Sequence, residues 1–307
     1  MGDVREVLEK LQDLDAGKLL ALVDAFPGQR AGLDAVLRGE ERIILEKIIR
    51  KLLDKSGRCI PAHLGITASV CDENRGFHVE LPKLSYAEIR ERTAGFFPGT
   101  EVASANKFVD VAEVLRAKYD SHELVGNFFQ RARPIVLPKC DARENYGSLM
   151  QNFILPAVER AYKDQFPKRK FTNYRKGELD GKIAIISDTG HEELVSLMAE
   201  ESVVAWYSPN PLQGFSIFAQ REAMKILMRH GGFALAGGVD TGTAVVAYTE
   251  TMARDFKTPA YICSALSWRS ADDSLCFGAG GGGFGFGGAA GLADAYYDGS
   301  GGLVLFR

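Results

Sequence analysis

Apolar residues in the first part of this chain recur at helical spacing, and past residue 180 they gather into short runs separated by helical patterns. Val4, Val7, Leu8 and Leu11 make one stripe, and Leu19, Leu20, Leu22 and Val23 a second. Ile43, Ile44, Leu45, Ile48, Ile49, Leu52 and Leu53 form a third, with Arg and Lys on the other face, so residues 1–57 read as a helical segment. Residues 58–179 are mixed. Phe77 to Leu81 suggests a strand, Tyr86 to Thr93 a helix capped near Ser85, and Val109 to Tyr119 another helix. Pro134 to Pro138 suits a short strand or an extended connector. Residues 148–166 suit a helix with Leu149, Phe153, Val158, Ala161 and Tyr162 as its apolar positions.

From Asp180 the pattern becomes regular. Strands are expected at 182–186, 203–207, 233–236, 260–264, 275–277 and 303–306, and helices at 190–200, about 215–230 and about 242–255. Apolar runs alternating with amphipathic helices imply crossover connections. The expectation is therefore α/β: a Rossmann-like domain over 180–307 with a mainly parallel sheet, preceded by the helical and mixed regions.

Several polar, glycine-containing loops fall where such strands would end: Ser187 to His191, Ser208 to Gly214, Gly237 to Thr243, Ser264 to Ser267 and Gly280 to Gly288. In open parallel sheets ligands collect outside those ends. The last loop belongs to an order of apolar run, glycine-packed turn, alanine-rich helix and second apolar run between Asp273 and Phe306. Glycines bring backbone N–H groups close to a ligand, and a following helix offers its positive end to an anion. Ser208, Thr241, Thr243, Gly237, Gly238, Gly242, Gly282, Gly283 and Gly285 are thus candidate donors to phosphate oxygens, with Asp240 an acceptor for a ribose hydroxyl. Phe284 and Phe286, within the same turn, suit a core as well. His191, just after a strand and near two glutamates, is a candidate general base, with Asp188 and Asp240 as further catalytic candidates, although an acidic first turn also suits a helix dipole.

The order of these elements resembles the SLOG superfamily, which includes the lonely-guy phosphoribohydrolases and DNA-processing protein A. Gly237-Gly238 and Gly242 stand at its first glycine motif, and Gly282-Gly-Phe-Gly285 at its second. The resemblance covers the last third of the chain. It implies a Rossmann-like fold binding a nucleotide or nucleotide-derived ligand, with Arg269 as the arginine available for a phosphate clamp. Ala289 stands where the family carries its catalytic glutamate, and Gly281 and Phe286 replace its proline and threonine, so the usual hydrolysis is not expected.

A formal net charge of -3 gives no general pull toward nucleic acid or an anionic membrane. Against that background Lys163, Lys168, Arg169, Lys170, Arg175 and Lys176, interleaved with Phe166, Phe171 and Tyr174, form a basic aromatic stretch that suits a nucleic-acid backbone or a solvated linker. Cys59, Cys71, Cys140, Cys263 and Cys276 are odd in number and scattered, which predicts reduced thiols in the cytoplasm and no metal site. The amphipathic N-terminus is not a signal peptide and no run is long enough to span a bilayer. The sequence therefore predicts a sensor or unconventional enzyme for a nucleotide-like small molecule, with no cofactor specified and a second copy of the chain as a candidate partner. The alternatives are a non-catalytic scaffold or assembly protein that keeps the fold, and a nucleic-acid binder through Lys163–Lys176.

Overall fold

Capping chemistry starts the helices that the apolar spacing outlines. Ser85 and Glu88 close a reciprocal capping box on α1 (Tyr86–Phe96), and Ser104 caps α2 (Ala105–Asp120). The structure is a computed structural model that describes residues 51–307 apart from 72–76, 78, 256, 281 and 290. The helical stripes expected before residue 51 lie outside the described residues. The described residues form one compact unit.

The helix expected over 148–166 comes in three parts: α3 (Tyr146–Leu149), a π-helical turn (Met150–Ile154) and α4 (Leu155–Gln165). Pro156 explains the break. Its ring would press on the carbonyl four residues back and it has no N–H to give, and the widened turn just before it relieves both. Downstream follow α5 (His191–Glu200), α6 (Ile217–His230), α7 (Gly238–Ala247) and α8 (Thr249–Met252).

The strands depart from expectation in their pairing. A four-stranded sheet holds β1 (Arg133–Leu137), β4 (Val203–Ser208), β11 (Leu303–Leu305) and β5 (Phe233–Leu235), in that spatial order. Every neighbouring pair in it is antiparallel. β4 and β5, joined by α6, do run in the same direction, but the C-terminal strand is inserted between them. A five-stranded sheet has the order β10 (Gly299–Gly301), β6 (Ala260–Ile262), β8 (Leu275–Gly280), β9 (Gly283–Gly288) and β2 (Phe171–Asn173). Its end pairs are parallel and its two central pairs antiparallel. β3 (Ile183–Ile185) and β7 (Leu266–Trp268) make an antiparallel pair of their own.

The mainly parallel Rossmann-like sheet expected for 180–307 is therefore corrected to mixed, mostly antiparallel sheets. The apolar runs located β3, β4, β5, β6, β8 and β11 but not β2, β7, β9 or β10, and they do not say which strand lies beside which. The unit read as strand, glycine turn and alanine-rich helix is also different. Gly283 to Gly288 is itself a strand, hairpinned to β8, and the described residues after it form no helix before β10. Phe277, Phe284 and Phe286 point to the core, and glycines alternate with them on the other face. Pro134 to Leu137 proves to be strand, lying beside β4, so one sheet draws residues from both sides of position 180. Among residues 77 and 79–81 there is no strand, yet Val79 and Leu81 are buried.

Candidate functional site

Three of the loops expected at strand ends do meet. Leu235 N–H donates to Thr189, Ala265 N–H to Ala236 and Ile186 N–H to Ala265, which ties the chain after β3, β5 and β6 into one knot. Gly190, with φ of 71°, turns the chain into α5; a Cβ there would lie 2.2 Å from the Phe233 carbonyl oxygen. This close approach delivers His191 beneath the N-terminus of α7. Gly237 leaves the room for its ring, since a Cβ there would meet His191 Nε2 at 2.4 Å and Tyr146 Oη at 2.8 Å.

Tyr146 completes the cluster from α3. Its Oη lies 2.9 Å from His191 Nε2 and accepts the N–H groups of Gly238 and Val239, each at 3.0 Å. With two donors on the phenol oxygen, its own proton is directed to Nε2, which puts the imidazole hydrogen on Nδ1. Asp240 accepts the Gly237 N–H at 3.0 and 3.2 Å, so the N–H groups of Gly237, Gly238 and Val239 are taken by the chain's own side chains. His191 Nδ1 is 3.7 Å from Asp240 Oδ1, beyond hydrogen-bond reach. Both side chains are wholly buried. Burial lowers the His191 pKa to about 3 and raises that of Asp240 to about 8, while the Tyr146 phenol is pushed well above its usual range by burial and then by Asp240. At neutral pH this is a cluster of uncharged groups with no solvent access.

The other candidate residues are distributed around it. Asp188 stays outside, exposed on the loop with φ of 58°. Thr243 donates to the Val239 carbonyl in its own helix. Gly242 permits close packing, because a Cβ would lie 2.3 Å from Ile154 and 3.6 Å from Phe277. Ser208 and Thr241 are buried, Thr241 beside the Tyr207 phenol. Gly282, with φ of 85°, makes the hairpin turn, while Gly283 and Gly285 back onto the Lys170 and Thr172 carbonyls of the neighbouring strand. Arg269 is drawn off to the surface, paired with Glu178 at 2.5 Å and stacked on Trp268, which also carries Arg175. The two glycine motifs thus meet through core aromatics rather than across a cleft.

A cleft does exist elsewhere, with a volume of about 480 Å³. Its helical wall is Gln151, Asn152, Leu155, Pro156 and Glu159, which share a face across the π-helical turn and α4. Its other wall is β2 with its flanks: Lys170, Phe171, Thr172, Asn173 and Lys176. Gln151 Oε1 accepts the Gly177 N–H at 2.9 Å and ties the two walls together at one end. Lys170 and Lys176 are exposed and have no ion-pair partner among the described residues. Sequence reasoning flagged the lysines but not the groove, nor Tyr146. Pro156 inside a helical pattern was the one available signal of the irregular turn that shapes the wall. Among the described residues no group of side chains is arranged to hold a metal ion, and no helix is long and apolar enough to cross a membrane. No family model matches this chain, and neither does any curated protein or solved structure.

Proposed function

We propose that this chain is a binding protein whose groove between Gln151–Glu159 and Lys170–Lys176 takes a negatively charged ligand. The observation that carries the reading is the pair Lys170 and Lys176, two cations without ion-pair partners among the described residues, lining a groove of about 480 Å³. That volume lies within the roughly 300–1,000 Å³ of small-ligand sites. The amide N–H groups of Gln151 and Asn173, whose oxygens are used within the chain, supply donors, and Asn152 Oδ1 and Glu159 supply acceptors. The closed Tyr146–His191–Asp240 cluster supports a binding role over a catalytic one. Its polar atoms hold α3, α5 and α7 together, and no substrate can approach them without opening the core. Cys59, Cys71, Cys140, Cys263 and Cys276 are free thiols, which suits the cytoplasm as the place of this role.

Thermal denaturation against nucleotides, sugar phosphates, a single-stranded oligonucleotide and polyglutamate tests the reading. A ligand present at about a hundred times its Kd adds about 2.7 kcal/mol. At least one anion should stabilise the wild-type chain, with the shift abolished in the double variant Lys170→Glu/Lys176→Glu and weakened by salt. A wild-type protein indifferent to every anion would remove the proposal.

A further inference from the structure

Resting on that groove reading, we infer that the occupant is an extended acidic peptide of a partner protein, which joins the five-stranded sheet as an additional strand beside β2. Among the described residues the sheet order leaves β2 at one end, with β9 as its one pairing partner. The parallel register then decides which backbone groups are used. Phe284 N–H donates to the Lys170 carbonyl and Tyr174 N–H to the Phe286 carbonyl, and the ladder between them occupies both the N–H and the C=O of Thr172. The N–H and C=O groups of Phe171 and Asn173 accordingly face away from β9. These same two residues line the groove, so the open edge of the sheet forms one of its walls.

A groove with a strand edge on one side and a helix on the other is the geometry in which an extended chain gains main-chain hydrogen bonds from the strand and side-chain contacts from the helix. Charge selects which chain. Lys170 precedes the strand and Lys176 follows it, and lysines in such places deter pairing with neutral or basic strands and with a second copy of β2. An acidic strand turns that repulsion into attraction. Gln151 and Asn152 stand on the facing wall with amide groups suited to a peptide's outward side chains. The usable edge is three residues long, about 10 Å at 3.3 Å per residue, so recognition is confined to a short segment.

Fluorescence anisotropy on the full chain tests this with a labelled octapeptide of alternating Glu and Val. The controls are an alternating Lys and Val peptide and two copies of the acidic peptide N-methylated on alternate residues, one in each register. Strand addition uses the N–H groups of one register only. Methylation in that register should therefore weaken binding on the order of tenfold, and methylation in the other should leave it nearly unchanged. The Lys and Val peptide should not bind, and Lys170→Glu/Lys176→Glu should lose the acidic one. Equal binding of both methylated peptides would overturn strand addition. So would a silent acidic peptide in a protein that nucleotides stabilise, a result that leaves the groove reading standing. Silence toward peptides and anions alike would remove both.

Discussion

Burial acts in opposite directions on the two titratable side chains that meet beneath α7. Asp240 is raised from 3.8 to about 8, so its contribution to stability is complete below pH 3.8 and is lost as pH rises through about 8. His191 is lowered from 6.5 to about 3, so its contribution is complete above pH 6.5 and is lost as pH falls through about 3. Between 3.8 and 6.5 the two slopes oppose one another. Above 6.5 Asp240 acts alone, and stability should fall as pH rises toward about 8. Asp240→Asn keeps an oxygen for the Gly237 N–H and removes the titration. Urea unfolding across that window should show the decline in the wild type and its absence in the variant; the same slope in both would refute the assignment. His191 and Asp240 were visible in the sequence because each sits in a polar loop after an apolar run. Tyr146 was not, since its contacts lie 45 and 92 residues away and nothing near it signals them.

The glycine-rich hairpin shows what pattern reading can miss in a single element. Gly283-Phe-Gly-Phe-Gly287 alternates with the period of a strand, and Phe284 and Phe286 are buried while the intervening glycines occupy the opposite face. The abundance of glycine suggested a ligand loop, but its use here is to let neighbours pack against bare backbone. A side chain at Gly285 would meet the Tyr174 ring at 2.8 Å and the Thr172 carbonyl at 3.0 Å, whereas nothing lies within 4 Å of one at Gly280. Gly285→Val should thus cost about 1–3 kcal/mol by crowding β2, and Gly280→Val should stay within about 0.5 kcal/mol of the wild type. Chemical denaturation of both variants checks the contrast, and equal losses would contradict this packing. The same crowding makes Gly285→Val damaging to the groove, because it displaces the strand that forms one wall.

For the molecule as a whole, the apolar runs located most strands but carried no information on adjacency. β4, α6 and β5 follow the pattern of a crossover unit, and only the last strand of the chain reveals that the two strands are not neighbours. Leu303, Val304 and Leu305 are fully buried in that central place. Removal of residues 302–307 should therefore split the four-stranded sheet and abolish cooperative unfolding monitored by circular dichroism. A truncated chain that unfolds cooperatively at the wild-type midpoint would refute the inserted strand. Charge was similarly local: the -3 total conceals a basic stretch whose place on a groove depends on which helix β2 faces.

The central claim is that ligand binding belongs to this groove and not to the glycine loops. Hydrogen exchange of the full chain, with and without a stabilising anion, tests it most directly. Protection confined to residues 151–159 and 170–176 is the predicted result. Protection centred on residues 237–243 and 280–288, with the groove unchanged, would contradict it.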